Sequence, residues 1–476
     1  MQQPHPLQPI VALFEARRLA EAEAALRARA REFDTLPDYH RLAGLVAVDL
    51  RKPDVALRHF TRAASLAPEV PMHQFNVGEI NRALKRWQPA ADAYRRVIAR
   101  EPNGGRAHLA LAECLLQLKD MAGAVASFRG ALDAEPRNLG LHKHVAKTLE
   151  RLGRISDAIA CWQRAVAIDP GDFESQVLLR NLYTKAVPVW HFPMMNDPAR
   201  NDAYDRAIRR AVRPGMHVLD IGTGAGLLSM MAARAGAARV TTCEMVPEVA
   251  AMARRIVDAN GFADRITVIP KISTDLVVGA DMPDRADLLV SEVLSSELLA
   301  ENVVETVAHA RAQLIKPGAP MIPAAVSVIA ALVGGEDLAK AVSVDRAAGF
   351  DISQFNAFSP SVINILMDSS RFEMLTDPVE VFRFDLSKDI PATDAVTHDL
   401  PILRAGQAVG MLQWIRLYLD EETVFENQPT LERQVSGWRH MLFTLPHPTA
   451  VTAGQTARIE ARHARSSIAF MLRELR

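Results

Sequence analysis

The fold of this chain is decided by the stretch Met216-His217-Val218-Leu219-Asp220-Ile221-Gly222-Thr223-Gly224-Ala225-Gly226. The apolar run that leads to Asp220 predicts a buried parallel strand, and the glycines predict a tight turn where backbone can approach a ligand closely. Residues 227–235 predict a helix, and a second strand over 239–243 ends on Glu244. A carboxylate there, 24 residues after Asp220, can accept two hydrogen bonds from ribose hydroxyls. Strand, glycine turn, helix, strand and acid together predict a nucleoside-binding βαβ unit.

The spacing of the glycines favours one class of nucleotide. The dinucleotide fingerprint is G-x-G-x-x-G, with a pyrophosphate at the helix N-terminus, whereas this chain has G-x-G-x-G and Leu227 in the third glycine's place. S-adenosylmethionine has no phosphate and requires only close backbone approach and an acid for its ribose. The pattern therefore favours a methyl-donor site, with NAD binding and a purely structural glycine turn as the alternatives.

Composition places the chain among globular multidomain proteins. Its 476 residues are enough for two to four domains, and 49% of them are hydrophobic, enough for sizeable cores. A net charge of −1 argues against a global electrostatic attraction to nucleic acid or membrane. The three cysteines, Cys114, Cys161 and Cys243, have no metal-ligand spacing and suit a reducing compartment. The N-terminus has no signal-peptide pattern, so we expect a cytoplasmic protein. The scattered cysteines lead us to expect no metal site.

The first third of the chain repeats itself with a period of 34 residues. Four columns of similar residues share this period: Pro68, Pro102, Pro136 and Pro170; Ala56, Ala90, Ala124 and Ala158; Gly44, Gly78, Ala112 and Ala146; and Phe60, Tyr94, Phe128 and Trp162. The pattern resembles the tetratricopeptide repeat, in which small residues let two helices approach and an aromatic fills the space beside them.

The resemblance implies a helical repeat domain over residues 1–186. Residues 3–36 are expected to form a degraded capping repeat, and 173–186 a closing helix. Stacked helix pairs form a superhelix with an extended concave surface, which favours recruitment of a peptide or protein partner. The alternative is a stabilising extension that contacts only its own catalytic domain.

Beyond the repeats, residues 190–476 resemble a protein arginine methyltransferase. The resemblance depends on Met194-Met195-Asn196-Asp197-x-x-Arg200, on the glycine stretch that ends at Gly226, on Glu244, and on Glu292 and Glu301. It is strongest to members with tandem catalytic modules, one of which carries N-terminal tetratricopeptide repeats, although this chain has one module. The resemblance implies a multidomain α-solenoid, α/β and β architecture. A Rossmann-like methyltransferase domain would span 187–321, and a substrate-side β-barrel 322–476.

The resemblance also implies the assembly of the chain. A dimerisation arm is expected near 337–376, with Gly349-Phe350-Asp351 near its start. Because there is a single module, a homodimer would replace the tandem pair.

The glutamate pair has a physical rationale. Guanidinium stays protonated in proteins, and two carboxylates can grip it in bidentate fashion and polarise it, so that one terminal nitrogen attacks the methyl group. By the family's register Glu292 and Glu301 are the catalytic pair, and Glu297 between them is not. Solvated surface acids at a helix start are the alternative.

The remaining site residues follow from the resemblance. Asp220, Gly222, Gly224, Gly226, Glu244 and Met245 would bind S-adenosylmethionine. Ile272 and Ser273 would belong to the segment that lines its adenine, and Arg200 would hold its methionyl carboxylate. Met194 would border the active site. A surface ion pair is the alternative for Arg200, and core packing for Met194.

One departure from the family lies near the C-terminus. Ser436-Gly437-Trp438 falls where the family commonly has Thr-His-Trp, so Gly437 replaces the histidine. Trp438 would wall the substrate-arginine pocket, with a core tryptophan as the alternative. Two rival functions remain open: a methyltransferase for a small molecule or another side chain, and a non-enzymatic repeat scaffold with a vestigial methyltransferase fold.

Overall fold

A computed structural model describes residues 6–365, 372–429, 437–464 and 466–476. The chain divides into two compact units, Met1–Leu182 and Tyr183–Arg476. The division falls inside the helix that closes the repeats, Phe173–Ala186.

The first unit consists of paired α-helices. Helices α4 to α11 form four antiparallel pairs, each followed by the proline of its repeat, while the shorter α1 to α3 lie before them and α12 after them. Their bounds are α1 Gln8–Glu15, α2 Leu19–Ala28, α3 Ala30–Phe33, α4 Pro37–Asp49, α5 Pro53–Leu66, α6 Pro71–Ala83, α7 Trp87–Arg100, α8 Gly105–Gln117, α9 Met121–Ala134, α10 Leu139–Arg151, α11 Ile155–Ile168 and α12 Phe173–Ala186.

The repeated columns form the interior of this unit. The four alanines of the second column are all completely buried. Gly78 lies so close to the aromatic of its own repeat that an added Cβ would be 2.6 Å from Cε1 of Tyr94. The prediction that small residues allow close helix approach is therefore confirmed.

The second unit begins with an α/β layer. A parallel sheet has the order β3-β2-β1-β4-β5, and β1 lies at its centre because it pairs with both β2 and β4. The elements are α13 His191–Met195, α14 Pro198–Ala211, β1 His217–Ile221, α15 Leu227–Arg234, β2 Arg239–Cys243, α16 Pro247–Ala259, β3 Ile266–Ile269, β4 Leu288–Ser291, α17 Val303–His309 and β5 Met321–Ile322. This arrangement confirms the predicted Rossmann-like region and brings the ends of β1, β2 and β4 to one edge.

The rest of the unit is antiparallel. One sheet has the order β10-β6-β13-β15-β9, with β11 on β6 and β14 on β13; β12, β16 and β17 form a second sheet, and β7 pairs with β8. The elements are β6 Ala325–Gly334, α18 Glu336–Val342, β7 Arg346–Ala347, β8 Phe350–Asp351, β9 Val362–Ile365, β10 Glu373–Met374, β11 Val379–Asp385, β12 Thr393–Pro401, β13 Gly406–Tyr418, β14 Val424–Glu426, β15 His440–Val451, β16 Thr456–Ala464 and β17 Ser467–Leu475. The predicted C-terminal β domain is thus an antiparallel sheet domain.

A single apolar cluster joins the parallel and antiparallel parts. It includes Leu219 and Val290 from the first and Ile415, Phe443 and Ile459 from the second. The shared core explains why both parts belong to one compact unit. Among the described helices, none has the length and apolar character that crossing a membrane would require.

Candidate active site

The glycine turn directly follows β1 and is shaped by left-handed backbone. Gly222, Gly224 and Gly226 have φ angles of 88°, 50° and 82°, which side-chain-bearing residues rarely adopt. A Cβ on Gly222 would also lie 2.8 Å from Cγ1 of Val293, in the chain that follows β4. At these three glycines the turn therefore presents backbone without a side chain, next to the end of β1.

Asp220 is the last acid of β1 before this turn and is fully buried. One carboxylate oxygen accepts hydrogen bonds from Ser229 Oγ at 2.5 Å and from Thr242 Oγ1 at 3.2 Å. The other oxygen, Oδ1, is buried and has no hydrogen-bond partner among the described residues. Burial raises the pKa of Asp220 to about 6. A buried acceptor without a protein donor beside the glycine turn fits a polar group of a ligand.

Glu244 follows β2 and closes the turn from the other side. Its Oε2 accepts a hydrogen bond from Gly224 N at 3.1 Å, and its Oε1 accepts one from Val246 N at 2.9 Å. These bonds hold the half-buried carboxylate against the glycine turn. The acid predicted for the ribose therefore lies next to the turn predicted to receive the nucleoside.

The other residues expected to bind the cofactor follow β2 and β3 at the same edge of the sheet. Met245, just after β2, is 67% exposed, and Ile272, after β3, is 43% exposed. Ser273 is buried at the start of a 3₁₀ turn. Two exposed apolar side chains after neighbouring strands suit the faces of a flat aromatic ring. The residues present thus fit S-adenosylmethionine.

Arg200 and Glu292 form a buried ion pair. Arg200 is only 2% exposed, and its Nε donates to Glu292 Oε1 at 2.6 Å while Nη2 pairs with Oε2 of the same carboxylate. Asp197 caps α14 by accepting from the backbone N of Arg200, which fixes where the side chain starts. Sequence reasoning placed these two residues in one site and gave them different ligands; the structure joins them to each other.

Two neighbours of Arg200 were missed in the sequence. Asn201 Oδ1 accepts from Arg200 Nη1 at 2.6 Å, and the Tyr204 ring centroid lies 5.1 Å from the guanidinium carbon. Tyr204 lies one helical turn after Arg200, and that spacing was the available signal. Both neighbours restrict where the guanidinium can move.

Glu292 and Glu301 lie at the two ends of a hairpin-like loop. Ser295 and Leu298 pair across it, with Leu298 N donating to Ser295 O at 2.9 Å, and Leu298 has a φ of 67°. The chain therefore turns back on itself between the two acids. Glu301 has an exposed face, yet desolvation by the surrounding protein raises the pKa of its carboxyl. Its role as the second catalytic acid stays a prediction.

Trp438 holds the loop between Glu292 and Glu301 in place through a hydrogen bond. It is 6% exposed within the core, and its indole N–H donates to Leu294 O at 2.7 Å. Arg439 N donates to Ser296 Oγ at 2.8 Å, so two consecutive residues hold the loop. The structure places Trp438 in the core, as the alternative interpretation had it, and its role as a wall of the pocket stays a prediction.

Steric contact with helix α13 explains why a glycine occupies position 437. A Cβ on Gly437 would lie 2.6 Å from Cβ and 2.9 Å from Cα of Met194, in helix α13. Any larger residue would push α13 away, so the missing histidine and the position of half-buried Met194 are linked. Ser436 lies outside the described residues. Nearby His440 is buried, and its Nε2 hydrogen-bonds to Asn427 O at 2.7 Å. This contact gives His440 a structural role in place of the missing histidine's role.

Comparison with known proteins adds family relationships to this geometry. Family models described as tetratricopeptide repeat match residues 41–98, 86–138 and 115–182, which confirms the predicted repeats. A family model described as ribosomal protein L11 methyltransferase (PrmA) matches 205–324, the range of the parallel sheet.

Curated relatives match the second unit. An arginine N(omega)-methyltransferase of Streptomyces achromogenes subsp. streptozoticus is 36% identical over 293 residues, which are 61% of this chain and 79% of that protein. A protein arginine N-methyltransferase 7 of Drosophila yakuba is 36% identical over 48% of this chain. The match spans only 36% of that Drosophila protein, about a third of its length.

A solved structure shares the fold. The Trypanosoma brucei PRMT1 enzyme–prozyme heterotetrameric complex with AdoHcy aligns over 58% of this chain and 88% of that chain, with a TM-score of 0.52 and 24% identity. At that identity the likeness concerns the fold. The Streptomyces relative, 36% identical and matched over 79% of its length, shows that this chain belongs to the family of S-adenosylmethionine-dependent arginine methyltransferases, here with tetratricopeptide repeats and a single catalytic module.

Proposed function

We propose that this chain methylates an ω-nitrogen of arginine side chains in proteins. The observation that carries the proposal is the buried Arg200–Glu292 pair. Glu292 directly follows β4, the neighbour of the strand that leads into the glycine turn, and it begins the loop that carries a second acid, Glu301. In this proposal Arg200 serves the methyl donor and Glu292 serves the substrate arginine. The repeats of the first unit favour a protein substrate, because they add an extended surface that a small substrate does not need.

The residues proposed to bind the methyl donor are chosen by the charge and hydrogen-bonding groups that they carry. Glu244 would accept hydrogen bonds from both ribose hydroxyls, and the glycine turn would let the backbone approach the nucleoside. Arg200 would bind the methionyl carboxylate. S-adenosylmethionine supplies a methyl group on a positively charged sulfur.

The acceptor side depends on the two glutamates. Both oxygens of Glu292 engage Arg200, so a substrate guanidinium must compete for them. A carboxylate brought to Arg200 by the donor would weaken that hold and let Glu292 turn toward the substrate. Glu292 and Glu301 would then orient one guanidinium nitrogen, and most of the rate would come from this positioning.

Free arginine is the second candidate substrate. The Streptomyces relative is named for arginine itself, whereas the Drosophila relatives are named for protein arginine. The test incubates the full chain and radiolabelled donor with an arginine-containing peptide, with the same peptide carrying lysine, and with free L-arginine. Label in the arginine peptide alone supports the proposal, and label in free arginine alone supports the second candidate.

We further propose a homodimer joined through residues 337–376, of which 366–371 lie outside the described residues. Three phenylalanines of this segment are strongly exposed: Phe350, Phe355 and Phe358 at 72%, 66% and 78%. Such a cluster is typical of a surface that another protein covers, and a second copy of the chain fits the single module. Light scattering of the Phe350→Ser/Phe358→Ser variant tests it: monomers are expected, against dimers for the unchanged chain.

The cytoplasm remains the proposed location. Cys114, Cys161 and Cys243 are all buried and free of disulfides. Free thiols suit a reducing compartment. Fractionation of cells that express the chain would check this.

A further inference from the structure

The repeat unit contains a groove that the catalytic chemistry does not use. Its volume is about 800 Å³, and it runs along the first helices of the four repeats, α4, α6, α8 and α10. The residues that line it occupy equivalent positions 34 residues apart, for example Leu45, Glu79 and Glu113, or Val48, Arg82 and Leu116. Each core column keeps one class of residue from repeat to repeat, either small or aromatic or proline, whereas these groove columns change between apolar, acidic and basic residues. Packing between helices therefore does not determine the residue types of the groove columns. These residues can instead be complementary to a ligand.

The carboxylates of the groove are already engaged. Glu79 accepts from Tyr94 OH at 2.5 Å and from Arg82 Nη2 at 2.9 Å, and Glu113 accepts from Arg82 Nη1 at 3.3 Å. These contacts lower the pKa of Glu79, against the effect of its burial. A basic ligand would have to displace Arg82 from both acids.

Two guanidinium groups of the groove are available instead. Arg106 lies over the ring of Phe75, 5.3 Å from its centroid, and Arg151 makes only a long bond of 3.5 Å to Thr148 Oγ1. Neither forms an ion pair with a carboxylate among the residues that the structure describes. The groove thus has three guanidinium groups against two carboxylates, beside apolar side chains such as Trp87 and Leu116.

We propose that this groove binds an extended segment of a partner protein that carries acidic side chains separated by apolar ones. The acids would pair with Arg106 and Arg151, and the apolar side chains would lie against Phe75, Trp87 and Leu116. This rests on the proposed function only in that the partner would also be the methylation substrate. The recruited segment then differs from the methylated one, because three guanidinium groups against two carboxylates give the groove a net positive charge that repels an arginine-rich segment.

The test measures fluorescence anisotropy of labelled 12-residue peptides with the full chain. The probes are a peptide alternating glutamate and leucine, its glutamine–leucine analogue and an arginine–leucine analogue. We expect only the acidic peptide to bind, with affinity that falls as salt rises. Arg106→Gln and Arg151→Gln should each weaken binding about tenfold. Arg137→Gln, in the exposed turn between α9 and α10, is the matched control and should leave binding unchanged.

Two results would overturn the inference: preferential binding of the arginine or glutamine peptide, or acidic-peptide binding that neither groove variant weakens while circular dichroism shows intact helices. The Glu244→Ala variant separates this inference from the proposed function. Glu244→Ala should bind the acidic peptide as tightly as the unchanged chain does, although it should transfer little methyl. If the unchanged chain bound the acidic peptide but transferred no methyl group to any arginine substrate, only the methyltransferase proposal would be rejected.

Discussion

The repeat unit and the catalytic unit use contacts of different range. In the repeat unit the aromatic of a repeat packs against the glycine 16 residues before it, as Tyr94 does against Gly78. In the catalytic unit the decisive contacts join residues far apart: Arg200 and Glu292 are separated by 92 positions, and Trp438 and Leu294 by 144. Groove residues of the first unit can therefore change while its core is kept, whereas each site residue of the second unit depends on contacts between distant parts of the chain.

The largest expected effect concerns the acids of the catalytic loop. Glu292→Gln and Glu301→Gln keep size but remove charge, so each should reduce turnover by about 10²–10⁴-fold, since the lost interaction orients the nucleophile. Single-turnover kinetics on an arginine peptide measures this, and calorimetry should find donor affinity nearly unchanged for Glu301→Gln. Glu297→Gln, in the same loop, is the control and should be mild. Full activity of both Glu292→Gln and Glu301→Gln would end the double-glutamate mechanism.

The next effect concerns the donor. Glu244→Ala should lose the ribose hydrogen bonds and weaken S-adenosylhomocysteine binding by about 2–4 kcal/mol. Isothermal calorimetry checks this, with Asp258→Ala, an exposed acid on α16, as the matched control. Equal affinities of the two variants would remove Glu244 from the donor site.

Gly437 tests how far a long-range contact controls the site. Gly437→Val should push α13 away from the start of β15 and reduce kcat/KM by about 10–100-fold, because small displacements near reacting groups are costly. Donor affinity of the folded variant should change less than turnover. Activity equal to that of the unchanged chain would show that Met194 can move without consequence.

Gly78 gives the corresponding test in the repeat unit. Gly78→Ala should destabilise this unit by about 1–3 kcal/mol, because its Cβ would meet the Tyr94 ring. Gly140→Ala is the control, since its Cβ would make only an ordinary contact at 3.5 Å, with Asn138. Urea unfolding followed by circular dichroism reports the loss. A decrease in the donor affinity of Gly78→Ala would contradict the proposal that residues of the second unit alone bind the donor.

The smallest effect is a shift in pH dependence. Because the pKa of Glu301 is raised and its ionised form is needed, kcat/KM should fall as pH decreases, beginning at a higher pH than an ordinary glutamate would give. Asp220, with a pKa of about 6, titrates in the same direction. Donor affinity measured over the same pH range separates the two titrations, because of these two residues only Asp220 is proposed to bind the donor.

Much of the fold could be predicted because its signals are local. The glycine turn, the strand ends at Asp220 and Glu244, and the repeated columns each lie within a short stretch of chain or recur at a constant spacing. Backbone geometry and helix packing act over those same short distances. The parallel sheet and the stacked helices followed from them.

The repeat array, the βαβ unit with its glycine turn, and the two acids of the catalytic loop could all be predicted from the order of residues along the chain. The folded structure was needed to find that Arg200 pairs with Glu292, that Trp438 lies in the core and holds the loop, and that Met194 occupies the space beside Gly437. The physical reason is the range of the interactions: a salt bridge, a buried indole bond or a steric contact depends on positions that folding brings together from distant parts of the chain. No periodicity or motif spacing encodes which of these side chains finally meet.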